Sequence, residues 1–129
     1  MFCNAYSDMG WEVIFHADFD QEFEELAEQV QDEFLAVAGL LAEIGPTLGR
    51  PRVDTLNGSK HANMKELRFD ADNGVWRVAF AFDPERNAIL LVAGDKSGGS
   101  EKRFYKQLIR KADMRFSLHL AELQKKDKS

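Results

Sequence analysis

Three β-type runs in close succession, from Met64 to Lys96, set the limits on what this chain can fold into. They read MKELRF, VWRVAFAF and AILLVAGDK, separated by the clusters DADNG and DPERN. Runs of β-branched, aromatic and aliphatic residues broken by short turn clusters are the pattern of an antiparallel meander. Asn73 and Gly74 both tolerate positive φ and mark the first turn. Asp83 and Pro84 open the second, where proline pre-sets φ at a central position.

Side chains on a strand alternate between faces. In VWRVAFAF, Trp76, Val78, Phe80 and Phe82 fall on one face and Arg77, Ala79 and Ala81 on the other. The aromatic face needs a core to cover it, whereas an arginine beside two alanines reads as a shallow, open surface. In the preceding strand Leu67 and Phe69 join the aromatic side, together with Lys65. Glu66 and Arg68 then share the open face with Arg77, and Lys96 ends the third strand. Two arginines on one sheet face suit an anion, because a guanidinium presents a fixed fork of donors to phosphate or carboxylate.

The 129 residues suit one domain, 1–129, with an ordered core of about 11–124. The single cysteine, Cys3, can form no internal disulfide, and the first ten residues lack a basic region followed by an apolar run. A cytoplasmic protein without a membrane span is expected. The net charge of −5 conceals an asymmetry: residues 1–49 hold eleven acids and no Lys or Arg. From Arg50 onward, seventeen basic residues face eleven acids, a surplus of six. The front is acidic and the back basic, so an acidic total does not exclude a nucleic-acid partner.

Ahead of the meander, Trp11–His16 reads as a short strand with Trp11, Val13 and Phe15 on one face. Asp18 and Gln21 have the spacing of a capping box. Apolar residues then recur every three or four positions from Phe19 through Phe23, Phe34 and Leu41 to Ile44, a helical stripe of one helix or two with a joint near 28–32. Residues 45–63 form a Gly- and Pro-bearing connector. After the meander, Ser100 is an N-cap candidate for a last helix that buries Phe104, Leu108, Ala112, Phe116, Leu120 and Leu123, and the tail QKKDKS is expected to fray. The order β, α, three β, α puts the chain in the α+β class: a small antiparallel sheet of the N-terminal strand plus the meander, with its helices on one face.

No CxxC, HExxH, GxSxG, P-loop or GxGxxG occurs, and His16, His61 and His119 are dispersed. No metal site and no cofactor are expected. The remaining chemistry lies in a cluster of Lys and Arg with Tyr105, near the last strand and the start of the last helix.

The ordered set Leu56, Gly58, Ser59, Met64–Phe69, Gly74–Pro84, Arg86 and Ala88–Ser97, continued by SEKRFYK from Ser100, resembles the RelE/ParE superfamily of toxins, in its phage-derived HigB-like branch. The resemblance covers about residues 11–124. It implies a RelE-like fold and the toxin of a bacterial type II toxin–antitoxin system. Such toxins cleave messenger RNA on the ribosome without a metal and are silenced by a cognate antitoxin, often a helix-turn-helix protein. By the same resemblance Arg68, Arg77, Lys96 and Tyr105 are the candidate catalytic residues, and Lys65, Lys102, Arg103 and Lys106 the candidate RNA-binding ones. The alternative is a non-catalytic module, either a ParE-like inhibitor of a protein such as DNA gyrase or a binder of a helix-turn-helix regulator.

Overall fold

The computed structural model describes residues 10–128; Cys3 lies outside them. Five strands form one sheet in the order β1-β5-β4-β3-β2. They are β1 (Glu12–Phe15), β2 (Val53–Thr55), β3 (Lys65–Ala71), β4 (Gly74–Phe82) and β5 (Asn87–Asp95). β3, β4 and β5 are the antiparallel meander, and the α+β class is as expected. Two details differ from a purely antiparallel four-stranded sheet. β1 lies parallel to β5, and the connector contributes β2, which pairs antiparallel with β3. The first turn also moves back by one residue: Asp72 and Asn73 take the positive φ values of 50° and 62°, and Gly74 opens β4. A Cβ on Gly74 would stand 2.7 Å from the Asp95 carboxylate, so close approach explains the glycine.

The helical stripe resolves into α1 (Ala17–Glu24) and α2 (Glu28–Ile44), with a break a few residues before the expected joint. The Gln31 side chain donates 2.8 Å to the Phe23 carbonyl, which also accepts from the Leu26 amide, and so ties the start of α2 to the end of α1. The cap of α1 is His16 rather than Asp18: His16 Nδ1 accepts from the Asp18 amide, which places Asp18 inside the first turn. Gly45, at φ 76°, ends α2 against the Trp11 ring.

α3 (Glu101–Lys128) begins where Ser100 Oγ accepts from the Arg103 amide, and it stays helical through the tail to Lys128. It does not join α1 and α2. Those two cover the aromatic face, where Phe19, Phe23, Phe34 and Leu41 pack on Phe69, Val78 and Phe80. α3 crosses the other face, and Leu108, Ala112 and Phe116 lie on Ala79, Ala81, Ile89 and Leu91. The surface expected to be open is therefore a second core over most of its length. Small residues at 79 and 81 make room for a helix to lie close.

The register between β4 and β5 shifts at Ala79/Phe80, leaving Leu91 as the extra residue on β5. Leu91 and Val92 consequently both belong to the core under α3. The connector is pinned to α3 as well: Ser59 Oγ donates to Asp113, and His61 Nε2 lies 3.0 Å from Ser117 Oγ.

Candidate functional site: a basic patch on the β3–β4 face

At the first turns of α3 the second sheet face remains partly open, and the β3–β4 register decides what stands there. Arg68 is directly opposite Arg77, and Glu66 opposite Ala79. Cross-strand neighbours share a face, so two guanidinium groups stand side by side, a repulsive arrangement unless an anion joins them. Glu66 is that anion within the protein. Its Oε1 is 3.7 Å from Arg77 Nε and its Oε2 3.9 Å from Arg68 Nε. On the other flank Asp54 of β2 is 3.9 Å from Arg68 Nη1 and 3.0 Å from Arg50 Nη2. Arg50, Asp54, Arg68, Glu66 and Arg77 thus form a row of alternating charge.

The two arginines differ in burial. Arg77 is 7% exposed. Its Nη1 donates 2.9 Å to the Trp76 carbonyl, and its Nε has no hydrogen-bond partner. The Arg68 side chain keeps 32% of its surface in water. Arg68 is the accessible cation, and Arg77 the fixed one behind it.

α3 supplies the roof. Tyr105 Oη donates 2.8 Å to Glu66 Oε1. Burial, and then the hydrogen bond to Glu66, push the Tyr105 phenol above the ordinary tyrosine value, although Arg77 pulls the other way. Lys96 follows β5 with its Nζ 5.8 Å from the centre of the Tyr105 ring and 2.7 Å from Glu101 Oε2. The hydrogen bond from Lys96 holds the Glu101 carboxyl below its ordinary value, with Arg77 and Arg68 adding to the effect. The first turn of α3 can sit this low because Gly94 has no side chain: a Cβ there would stand 2.7 Å from the Phe104 ring.

The structure therefore brings Arg68, Arg77, Lys96 and Tyr105 to one patch. Lys102, Arg103 and Lys106 stand exposed on the adjoining turns of α3. Lys65 does not share the patch. It pairs with Phe80 in register, and both point to the face of α1 and α2. Alternation along β3 already required this, since Lys65 and Arg68 are an odd number of residues apart. Sequence reasoning passed over two members, Glu66 and Glu101. Glu66 was legible, being two residues from Arg68 on the same face; Glu101 depends on where α3 docks. Among the described residues no group of three or more His, Cys, Asp or Glu side chains could hold a metal ion. No described helix is long and apolar enough to cross a membrane.

An arrangement of fixed and accessible guanidinium groups, an ammonium and a neutral phenol can bind phosphate and stabilise added negative charge on it. The family described as Phage derived protein Gp49-like matches residues 21–117. The "Putative toxin HigB2" of Mycobacterium tuberculosis (strain ATCC 25618 / H37Rv) is 47% identical over 90 residues, covering 69% of this chain and 44% of that protein. The "Putative toxin HigB3" of the same organism is 50% identical over 94 residues, covering 70% of this chain and 80% of that protein. The chain thus spans less than half the length of the first relative. No solved structure matches the chain. By the extent of the family match and by these identities, the chain belongs to the phage-derived Gp49-like family of HigB-like toxins.

Proposed function

We propose that the protein is the toxin of a type II toxin–antitoxin system and that it cleaves messenger RNA on the ribosome, in the cytoplasm, without a metal. The observation that carries this reading is the cross-strand pair Arg68–Arg77 with Lys96 and Tyr105 beside it. Cleavage by the ribose 2′-hydroxyl forms the O2′–P bond and breaks the P–O5′ bond, leaving a 2′,3′-cyclic phosphate and a 5′-hydroxyl. The 2′-hydroxyl must lose a proton, the phosphorane must be stabilised, and the leaving 5′-oxygen must gain a proton. Arg68 meets the phosphate, and Arg77 sets the field behind it. Lys96 adds charge or carries a proton once it leaves Glu101. Tyr105, kept neutral, is a proton donor. Lys102, Arg103 and Lys106 hold flanking phosphates, which makes binding salt-dependent. A cognate antitoxin, of helix-turn-helix type by family likeness, silences the toxin.

The test is inducible expression in bacteria with mapping of mRNA 5′ ends. New 5′ ends inside translated messages, absent in Arg68→Ala, support the nuclease reading. A second reading has one observation behind it. Arg77 and Glu66 are both buried, as expected of an ion pair between β3 and β4 that, through the Tyr105 hydrogen bond to Glu66, serves only to pin α3 to the sheet. Under it the protein arrests growth by binding a protein target such as DNA gyrase, and growth arrest with intact messages would favour that.

A further inference from the structure

Glu66 is the one carboxylate inside the basic patch that water scarcely reaches. It is 6% exposed, and its two oxygens serve three partners: Tyr105 Oη at 2.8 Å, Arg77 Nε at 3.7 Å and Arg68 Nε at 3.9 Å. We propose that Glu66 is a positioning residue of this site, whose carboxylate fixes the Tyr105 hydroxyl and the Arg77 guanidinium for work on a phosphate. The inference rests on the nuclease reading above.

Stability alone is a poor account of such a group. Moving a carboxylate and a guanidinium out of water costs about as much as their attraction returns, and an apolar residue is often the equal of the pair. Position 66 faces Ala79 across the strands and lies under α3, where an aliphatic side chain would pack. What a carboxylate supplies there is orientation. It lets two arginines stand opposite each other, and it takes the Tyr105 proton along a fixed line. Arg77 is held from the other side by the Trp76 carbonyl, so its guanidinium has little freedom to turn.

The charges facing Tyr105 come from the neighbouring strands: Glu66 on β3 and Arg77 on β4, with Lys96, after β5, 5.8 Å from its ring and paired in turn with Glu101 at the start of α3. Among the causes acting on the phenol, burial and Glu66 raise its proton affinity and Arg77 lowers it. Removing the Glu66 charge leaves the cations unopposed on that side, and the phenol then ionises at lower pH.

Glu66→Gln keeps an acceptor near Tyr105 and removes only the charge. The experiment is single-turnover cleavage of message on programmed ribosomes across pH, with spectrophotometric titration of the phenol against Tyr105→Phe. The expected result is a maximal rate lower by roughly 100-fold, an alkaline limb moved to lower pH, and half-saturation unchanged or tighter. Loss of a negative charge by itself would only tighten RNA binding, so slower turnover with undiminished binding isolates positioning. If Glu66→Gln does not fold, Glu66→Asp retains the charge one methylene short, and a partial rate with a wild-type alkaline limb is expected. Wild-type rate and pH profile in the variant, with wild-type protein active, overturn the inference alone. Messages left intact by wild-type protein overturn the nuclease reading and this role with it.

Discussion

Arg115 of α3 grips Glu22 of α1 through both terminal guanidinium nitrogens, Nη1 to Oε1 at 2.9 Å and Nη2 to Oε2 at 2.6 Å. The same Nη1 donates 2.7 Å to the carbonyl of Leu91, the extra residue of the β5 irregularity. One side chain therefore joins the helices of opposite sheet faces and satisfies a buried acceptor that the ladder leaves over. Arg115 is 6% exposed, and removing it strands that carbonyl. Arg115→Ala is expected to cost about 2–3 kcal/mol, mostly the penalty for leaving the Leu91 carbonyl without its donor, because the Glu22 end of the pair is 43% exposed and adds little. Glu22→Gln should cost about 1–2 kcal/mol, because water already screens the carboxylate. Chemical denaturation of both variants checks the ranking.

The pair also gives stability a pH dependence. The hydrogen bond from Arg115 holds the Glu22 carboxyl below its ordinary value of 4.5, against the upward push of burial. A depressed carboxylate contributes stability that is fully present above its unfolded value and is lost as pH falls through its folded value. Wild-type protein should therefore lose stability on acidification below about pH 4.5 more steeply than Glu22→Gln. Equal slopes in acid denaturation would show that the pair is not formed in solution.

Phe80 is fully buried between β4 and the aromatic cluster of α1 and α2. Phe80→Ala is expected to cost about 3–5 kcal/mol and to leave little folded protein. Near-normal thermal stability would mean that the faces of β4 are inverted, which would also remove Arg77 from the patch.

The faces of the meander were legible because they depend only on period-two alternation and turn residues within one short stretch. Arg68 and Arg77 could be put together on that basis. What covers their face could not. Ala79 and Ala81 read equally well as the floor of an open surface or as the seat of a helix, and only the docking of Leu108 and Ala112 decides between them. The parallel pairing of β1 with β5 joins segments more than seventy residues apart, and β2 is three residues inside a Gly- and Pro-bearing connector. The same holds for Asp83, which receives His119 at 2.8 Å from a helix that begins only at Glu101. Local pattern carries no information on such pairings. Glu66 is different: its place beside Arg68 on that face follows from alternation alone, and only its Tyr105 partner, brought in by α3, does not.

Burial separates the two arginine variants. Arg68→Ala removes a side chain one-third exposed and should change stability by no more than about 0.5 kcal/mol while abolishing growth arrest. Arg77→Ala leaves Glu66 buried without its fixed partner, so lost toxicity would be confounded with lost fold. Arg77→Lys is the better probe: it keeps the charge and loses the planar fork. Circular dichroism with growth assays at matched expression distinguishes them, and full toxicity in Arg68→Ala would remove the patch from the activity.

On the nuclease reading, the Lys96–Glu101 pair is expected to set the strength of phosphate binding. Glu101 is mostly exposed and occupies the ammonium at 2.7 Å, so an incoming phosphate must displace it. Glu101→Gln should tighten binding of RNA by about two- to five-fold at low salt, with the gain shrinking as salt screens the patch. A gain that persists unchanged in high salt would point to a rearranged first turn of α3 instead.

The charge asymmetry offers an antitoxin two landing places. One is the patch of Arg68, Lys96, Lys102, Arg103 and Lys106. The other is the acidic outer side of α2, where Glu28, Asp32 and Glu33 are exposed. An acidic segment on the patch would neutralise the toxin directly, and a basic DNA-binding partner on α2 would block entry to the ribosome by bulk. Direct neutralisation is the expected outcome, because accessible cations on an ordered surface steer an acidic chain and speed its approach. Added salt should then weaken the complex mainly through the association rate. The measurement is partner binding to Arg68→Gln with Lys96→Gln, set against Glu28→Gln with Glu33→Gln, by surface plasmon resonance at two salt concentrations. Arg77 is left intact in both so that Glu66 keeps its partner. Slower association in the first variant and wild-type kinetics in the second support docking on the patch. The reverse pattern would put the partner on α2, leaving the site uncovered and the toxin silenced by exclusion.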